Sequence, residues 1–421
     1  MDQIQIKGGK PLQGEISISG SKNSALPILA CTLLTDDQMC LSNVPKLSDV
    51  TSMLSLLKSL NSEYSFSENE IKIISKKPKN IFADYNLVRK MRASFLVLGP
   101  LLARYGSAKV SLPGGCAIGS RPINMHLVGL EKLGANFEIE GGYVKGNVKK
   151  GLFGTEIDLP FSSVGATENI LMAATLATGK TIIKNAAMEP EVEDLCNCLN
   201  KMGAEIKGVG SRKLEIFGKK KLTGCNFSVM PDRIEAGTYI LALLGCSGSL
   251  KIKKLNNSVI QNLKKTLELF TNLQFKYENN NSLLVESKNI LLDKVNIKTG
   301  PFPEFPTDLQ AQLTAVLSRS KGLSVIEETI FENRFMHVSE LNRMGADINI
   351  KGSKVYIRGK KNIYGAPVMA TDLRASSSLV IAGLMARGET IIRRVYHLDR
   401  GYENLEKKLS NCNAQIKRLK S

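Results

Sequence analysis

Cys116 lies in a segment rich in glycine and proline, where we expect no core for it to pack into. Residues 111–122 read SLPGGCAIGSRP, so three glycines and two prolines surround Cys116. This composition predicts an exposed surface loop. Arg121 follows five residues later and would favour the thiolate if the two side chains lie close together. The loop therefore offers a thiol that can act as a proton donor or a nucleophile.

The other seven cysteines show no pattern that would hold a metal. They occupy positions 31, 40, 196, 198, 225, 246 and 412, without the CxxC spacing of a zinc site. We interpret them as small buried residues in a reducing compartment.

Charged or amide residues stand just before several predicted apolar helices, at Lys22-Asn23, Arg92, Asp232-Arg233, Asp308 and Asp372 to Arg374. The free N–H groups of a helix N-terminus, with its positive dipole end, can bind an anion. Asp308 and Asp372 are equally well explained as plain N-caps. The basic residues oppose the dipole and need another reason to be there, so the set as a whole favours a site for a multiply charged anion.

Two sequence patterns repeat along the whole chain in phase with each other. A helix-like stretch ends in Gly-Ala-x-Ile or a related tail at positions 61, 134, 203, 271, 345 and 413, a period close to 70 residues. Gly or Asn at these helix ends predicts the left-handed conformation that stops a helix. The second pattern is a helix of small apolar residues followed by a β-branched strand, as in 166-ATENILMAATLATGKTIIKN-185. Regular repeats of this kind are hard to explain by chance.

The repeats predict the architecture. The apolar helices should be buried on all sides, and the alternating strands should face water on one side. We therefore expect an α/β fold of six βαβαββ-like units, three per domain, with helices inside and sheets outside. The N-terminal domain should span residues 22–230 and carry the Cys116 loop, and the C-terminal domain residues 1–21 plus 231–421. Residues 4–20 read as two strands that would complete the last unit of the C-terminal domain.

Composition narrows the class of partner. The balance of 57 basic and 39 acidic residues gives a net charge of +18, which suggests an anionic partner. No RNP-like, zinc-finger or zipper-linked basic motif accompanies the lysine runs, so nucleic acid is the weaker interpretation. The N-terminus lacks the pattern of a signal peptide, and the apolar run at residues 93–103 is too short to span a membrane. A cytoplasmic protein is expected.

Several long segments resemble the UDP-N-acetylglucosamine 1-carboxyvinyltransferase family of enolpyruvyl transferases. Besides the Cys116 loop, the matching segments include 19-SGSKNSALPIL-29, 164-VGATENI-170, 305-FPTDLQAQ-312, 331-FENRFMHV-338, 369-MATDLRASSSLV-380 and 396-YHLDRGYE-403. The resemblance covers essentially the full chain. It implies a two-domain inside-out α/β barrel, which agrees with the repeats.

The activity that the resemblance implies is transfer of the enolpyruvyl group of phosphoenolpyruvate to the 3-hydroxyl of UDP-N-acetylglucosamine, with release of phosphate. In the family this is the first committed step of peptidoglycan synthesis, and so part of cell wall biogenesis, cell shape and cell division. The chemistry needs a proton donor, a base and cations on a dense anion, without a metal or organic cofactor.

The resemblance also implies roles for individual residues. Cys116 matches the general acid at the methylene carbon, which can form a covalent adduct and is the target of fosfomycin. Asp308 matches the candidate base on the sugar hydroxyl. Basic groups around phosphoenolpyruvate are matched by Lys22, Arg121 and Arg400, with Asn23 beside them. The UDP-sugar site is matched by Arg92, Arg121, Pro122, Ile123, Asn124, Met125, Phe161, Ser162, Ser163, Val164 and Ile330, and neighbouring matched segments contain Arg334, Asp372 and Arg374.

Two positions depart from the family pattern, and three rival functions remain open. Asn124 stands where Asp is common, and Phe161 where some members carry Lys; neither change touches the implied chemistry. One rival is the sister enzyme that acts on shikimate 3-phosphate, although that enzyme lacks such a cysteine loop. The other rivals are an RNA-binding or RNA-end-processing protein and a silent paralogue that only binds the UDP-sugar.

Overall fold

The computed structural model describes residues 2–89, 91–112, 123–279, 281–287 and 292–420. These residues form two compact units. The C-terminal unit contains residues 2–19 together with the described residues from 231 onward, and the N-terminal unit contains the described residues between 20 and 230.

The described α-helices fall into two kinds that alternate along most of the chain, long buried helices and amphipathic ones. In chain order they are α1 Lys22–Cys31, α2 Ser48–Ser59, α3 Tyr85–Val88, α4 Leu98–Tyr105, α5 Asn124–Lys132, α6 Val164–Ala174, α7 Pro190–Lys201, α8 Arg233–Cys246, α9 Asn257–Leu267, α10 Gln310–Leu317, α11 His337–Arg343, α12 Leu373–Met385 and α13 Leu405–Ser410. Short 3₁₀ helices lie at Thr32–Leu34, Arg92–Val97, Thr307–Leu309 and Val395–Arg400.

The described strands are short, and most alternate between buried and exposed positions. They are β1 Gln3–Lys7, β2 Leu12–Ser17, β3 Met39–Ser42, β4 Ser62–Ser67, β5 Glu70–Ser75, β6 Phe82–Ala83, β7 Ser107–Ser111, β8 Asn136–Glu140, β9 Tyr143–Asn147, β10 Glu156–Asp158, β11 Lys180–Lys184, β12 Glu205–Lys207, β13 Lys213–Phe217, β14 Asn226–Ser228, β15 Gly248–Lys253, β16 Leu273–Asn279, β17 Ser282–Ser287, β18 Asn296–Lys298, β19 Leu323–Glu327, β20 Asp347–Lys351, β21 Lys354–Arg358, β22 Pro367–Met369, β23 Glu389–Arg393 and β24 Gln415–Leu419.

Six sheets of four strands follow one plan in the described chain, each with one parallel pair and two antiparallel pairs. The N-terminal unit holds the sheets β14-β3-β5-β4, β6-β7-β9-β8 and β10-β11-β13-β12. The C-terminal unit holds β16-β17-β15-β2, β18-β19-β21-β20 and β22-β23-β1-β24. The expected sixfold repeat is confirmed.

Within each unit the apolar helices form the core, as the sequence predicts. Every residue of α8 from Ile234 to Cys246 is buried, and so is every residue of α12 from Arg374 to Met385. In the C-terminal unit α10 packs against both of these helices. An amphipathic helix such as α9 buries one stripe of residues only. The fold is thus the inside-out α/β barrel expected from the repeats, with sheets on the outside.

Five of the six predicted helix stops are observed, and the sixth, Thr271, does not have positive φ. Asn61, Gly134, Gly203, Gly345 and Asn413 all have positive φ, between 68° and 104°. Only glycine, and less easily asparagine, adopts this conformation at low cost. The chain therefore turns from helix to strand at the same point of each of these repeats.

The two N-terminal strands join two different sheets. Strand β1 lies between β23 and β24 in the last sheet, where Gln3 pairs with Leu419. Strand β2 pairs in parallel with β15, with Leu12 opposite Gly248, so the expectation that both strands complete the last repeat is wrong for β2. The reason is that the sheet containing β15 needs a parallel edge strand, as every other sheet has one, and β2 supplies it.

None of the described helices is both long enough and apolar enough to cross a membrane. The seven described cysteines are free thiols, and Cys40 and Cys225 are half-buried where full burial was expected.

Candidate active site

Asp308 is clamped between two buried arginines in the C-terminal unit. Arg334 Nη2 donates to Asp308 Oδ1 and Arg374 Nη2 donates to Asp308 Oδ2, both at 2.6 Å. The side chains of Arg334 and Arg374 are 5% and 6% exposed, against 24% for Asp308. Asp308 is not an N-cap, since its carboxylate is engaged by arginines. Each oxygen of an ionised carboxylate has two lone pairs and can accept more than one hydrogen bond.

A chain of hydrogen bonds through Thr307 and Glu328 holds the Arg334 guanidinium in place. Arg334 Nη1 donates to Thr307 Oγ1 at 2.9 Å, and Thr307 Oγ1 donates to Glu328 Oε2 at 2.8 Å. The other oxygen of Glu328 accepts from the backbone N–H of Ile330 at 2.9 Å. The backbone at Ile330 is therefore coupled to the same network as Asp308.

Arg374 is fixed by a second buried network. Its Nη1 donates to the Tyr402 hydroxyl at 3.2 Å, and that hydroxyl also contacts Thr238 Oγ1 at 2.9 Å. Burial alone would lower the pKa of Arg374, but the Asp308 carboxylate raises it above its ordinary value. The guanidinium stays charged and rigidly aimed at Asp308.

Asp372 is an N-cap, as one of the two interpretations of the sequence predicted. Its Oδ1 accepts from the backbone N–H groups of Arg374 and Ala375 at 2.8 and 3.0 Å. This capping orients the first turn of α12, the turn from which Arg374 projects.

Two histidines border this part of the unit. Burial lowers the pKa of His337 to about 4, and the nearby Arg334 charge acts in the same direction against the opposing effect of Asp372. Burial and Arg400 lower the pKa of His397. Arg400 itself is partly buried at the end of the 3₁₀ helix Val395–Arg400.

In the N-terminal unit, Lys22 and Asn23 open helix α1. Lys22 Nζ lies 3.4 Å from Asp49 Oδ2, and the Lys22 side chain is 13% exposed. One residue further on, Ser24 Oγ donates to Asp194 Oδ2, which also accepts from the backbone N–H of Met230 at 3.1 Å. The carboxylates of Asp49 and Asp194 thus contact side chains in the first turn of α1.

Arg92 begins the 3₁₀ helix Arg92–Val97 and lies near the partly buried His126. Burial, with the Arg92 charge second, lowers the pKa of His126 to about 4. His126 Nδ1 is 3.1 Å from Asn169 Nδ2, and Asn169 Oδ1 accepts from the backbone N–H of Gly99 at 2.7 Å. The ring is therefore a neutral acceptor at neutral pH.

The remaining predicted binding residues lie at two helix starts. Ile123 immediately precedes α5, which begins with Asn124 and Met125. Ser163 caps α6, its hydroxyl accepting from the N–H of Ala166 at 3.4 Å, with Val164 next. Phe161 is 59% exposed and Ser162 is partly buried. Cys116, Arg121 and Pro122 lie outside the described residues.

Among the described residues, no group of three or more His, Cys, Asp or Glu side chains is arranged to hold a metal ion.

Comparison with known proteins identifies the family. A family model described as EPSP synthase (3-phosphoshikimate 1-carboxyvinyltransferase) matches residues 6–409. UDP-N-acetylglucosamine 1-carboxyvinyltransferase from Granulibacter bethesdensis is 52% identical over 421 residues, covering all of both chains. The protein of that name from Coxiella burnetii is 50% identical over 423 residues, covering all of this chain and 97% of its own. The chain belongs to the UDP-N-acetylglucosamine 1-carboxyvinyltransferase family.

Solved structures agree on the fold of this UDP-N-acetylglucosamine 1-carboxyvinyltransferase family member. The enolpyruvyl transferase NikO from Streptomyces tendae superposes with a TM-score of 0.88 at 21% identity, covering 100% of this chain and 99% of its own. EPSP synthase from Acinetobacter baumannii gives a TM-score of 0.76 at 18% identity, covering all of both chains. Both are enolpyruvyl transferases, and the likeness establishes the fold.

For this family member, the structure joins Asp308, Arg334, Arg374 and Asp372 in one network of the C-terminal unit. Lys22 and Asn23 adjoin each other in the N-terminal unit. Sequence reasoning missed the supporting residues Thr307, Glu328, Tyr402, Asp49 and His126. Thr307 and Tyr402 lie within family-like segments, but nothing in a linear sequence indicates which distant arginine each one contacts.

Proposed function

We propose that the protein transfers the enolpyruvyl group of phosphoenolpyruvate to the 3-hydroxyl of UDP-N-acetylglucosamine and releases phosphate. The observation that carries this proposal is 52% identity, over the entire length of both chains, to a protein of that name. Identity to the EPSP synthase structure is 18%, a likeness of fold alone. The UDP-sugar is therefore a better candidate than shikimate 3-phosphate for the acceptor.

The reaction is an addition followed by an elimination. The sugar oxygen bonds to C2 of phosphoenolpyruvate while C3 gains a proton and the hydroxyl loses one. The bond between C2 and the phosphate oxygen then breaks, and C3 gives up a proton to restore the double bond. Such a sequence needs an acid at C3, a base at the hydroxyl and fixed cations on the phosphate.

We assign removal of the proton from the sugar 3-hydroxyl to the Asp308 carboxylate. Both oxygens are held at 2.6 Å by guanidiniums, so the carboxylate cannot rotate away from a bound sugar. A carboxylate oxygen can accept more than one hydrogen bond, so the arginine contacts are compatible with a bond from the 3-hydroxyl. Arg334 and Arg374 act as positioning residues in this assignment, together with the capping residue Asp372.

We assign binding of the phosphoenolpyruvate anion to Lys22, Arg121 and Arg400, with Asn23 beside Lys22. We assign donation of the proton to C3 to the Cys116 thiol. At the start of α1, Ser21 makes no side-chain cap bond, which favours use of the first-turn N–H groups by a ligand. The UDP-sugar is assigned to Arg92, the 121–125 segment, the 161–164 turn and Ile330.

We further propose a cellular setting and a domain division. The product would enter peptidoglycan synthesis, with consequences for cell wall, cell shape and division, and the Cys116 thiol would make the enzyme a fosfomycin target. A cytoplasmic location suits the free thiols of the described cysteines. The domains would divide at residues 21/22 and 230/231.

The test is phosphate release from phosphoenolpyruvate by the purified protein, with each acceptor in turn. We expect release that depends on UDP-N-acetylglucosamine and is absent with shikimate 3-phosphate. Release with the shikimate ester alone, or with neither acceptor, would overturn the proposal.

A further inference from the structure

A cavity of about 380 Å³ opens in the C-terminal unit where the three buried helices end. Cys246 closes α8, Met385 closes α12 and Arg319 follows α10, and all three residues line the cavity. The turn between β1 and β2, including Lys10, forms another wall.

The cavity is remote from the proposed chemistry. Asp372 and Arg374 lie at the N-terminal end of α12, and Met385 lies at its C-terminal end. A helix of 13 residues at 1.5 Å per residue places these ends about 20 Å apart. The cavity and the Asp308 network therefore occupy opposite ends of the same helix.

Of the described residues that line the cavity, three are basic and none is acidic; the basic ones are Lys10, Arg319 and Arg387. Among the described residues none of the three forms an ion pair with a carboxylate. Arg319 donates only to backbone carbonyls, those of Lys361 at 3.4 Å and Met385 at 3.3 Å. Burial lowers the pKa of Arg319 below its ordinary value, and the charge of Arg387 acts in the same direction against the opposing effect of Cys246. Within the part of the chain that the structure describes, no carboxylate pairs with the positive charge of this wall.

An arginine near a helix end of the N-terminal unit, Arg104, has a carboxylate close to it. Arg104 lies in the last turn of α4. Arg104 Nη1 donates to three backbone carbonyls at 2.7–3.0 Å, including that of Thr35, and Nη2 lies 3.6 Å from Asp36. Arg319 has longer carbonyl contacts, no aspartate and a second arginine beside it.

We propose that this cavity is a binding site for a small polyanion carrying phosphoryl or carboxylate groups. Guanidinium forks match the paired oxygens of both groups, and the Lys10 ammonium adds a mobile point charge. The ligand supplies a counter-charge to these three side chains. The volume accommodates a molecule of the size of pyrophosphate or citrate.

The test measures binding of pyrophosphate and of citrate to the full-length protein by isothermal titration calorimetry at low ionic strength. The variant is Lys10→Gln with Arg387→Gln, because neither side chain supports the core. Arg358→Gln, an exposed arginine outside the cavity, is the matched control. We expect the wild type and the control to bind one equivalent of anion that the double variant binds at least tenfold more weakly. Pyrophosphate preference would indicate a phosphoryl ligand, and citrate preference a carboxylate ligand.

Equal binding by the wild type and the double variant overturns the proposal, as does the absence of binding of either anion to the wild type. The double variant should keep UDP-sugar-dependent phosphate release, because its residues lie outside the proposed active site. Its binding defect is therefore separable from any failure of the transfer reaction.

Discussion

Replacing Asp308 by alanine should destabilise the C-terminal unit substantially. The substitution removes two hydrogen bonds of 2.6 Å and leaves two guanidiniums, 5% and 6% exposed, without their counter-charge. Charged hydrogen bonds contribute about 1.5–3 kcal/mol each, and breaking a buried pair by removing one partner costs about 3–5 kcal/mol. Because Asp308 is 24% exposed, water can enter the space that it leaves. We therefore expect a loss near the lower bound, about 3 kcal/mol.

The assay is urea unfolding followed by circular dichroism and tyrosine fluorescence, since the chain has no tryptophan. The two units can unfold separately, so each transition is fitted on its own. In an Arg374→Met background one of the stranded charges is absent, and Asp308→Ala should cost at least about 1 kcal/mol less there. Two results would show that the contacts of Asp308 with Arg334 and Arg374 do not stabilise the unit. One is a loss of unfolding free energy below about 1 kcal/mol in Asp308→Ala, and the other is the same loss in the wild-type and Arg374→Met backgrounds. Asp308→Asn should lower kcat by about 10²- to 10⁴-fold if Asp308 is the base.

Three further predictions address the N-terminal unit and the loop. Lys22→Met should lower kcat/KM for phosphoenolpyruvate by about 10- to 150-fold, the equivalent of one charged hydrogen bond, and unchanged kcat/KM would exclude Lys22 from the anion site. Cys116→Asp should retain measurable transfer, because a carboxylic acid can donate a proton, but should resist alkylation by fosfomycin; equal inactivation of both proteins would contradict the role. Burial raises the pKa of Asp194 to about 6, although Ser24 and Met230 act against it. A raised carboxyl pKa costs stability as pH rises from the unfolded value of about 4 through the folded one, so from pH 4 to 7.5 Asp194→Asn should gain about 2 kcal/mol relative to wild type. Parallel pH profiles of unfolding would argue against it.

Much of the architecture was predictable because it depends on local chemistry that repeats. Gly134, Gly203 and Gly345 end helices in a backbone conformation that other residues avoid. The period of the repeat can therefore be recognised from the spacing of these glycines in the sequence. The uniformly apolar stretch that became α8 likewise could only be a buried helix.

Long-range pairing was harder to predict. The sequence left Asp308 and Asp372 equally open as N-caps, yet Asp372 caps α12 and Asp308 binds arginines 26 and 66 residues away. Local helix-start signals are the same for both acids, and only tertiary packing decides between them. Strand β2 was assigned to the wrong sheet for the same reason: its pattern fits any edge position, and its partner β15 lies more than two hundred residues later.

The pairing of β1 with β24 constrains how the chain is made. Residues 3–7 are synthesised long before their antiparallel partners at 415–419. At 5–20 residues per second, the nascent strand waits about 20–80 s for that neighbour. The described residues of the N-terminal unit all lie between 20 and 230, so this unit can fold during the interval. While β1 is unpaired, its free backbone groups can pair with chaperones or with other nascent chains. Slow synthesis of the final repeat should therefore cause aggregation before it lowers the activity of the folded protein.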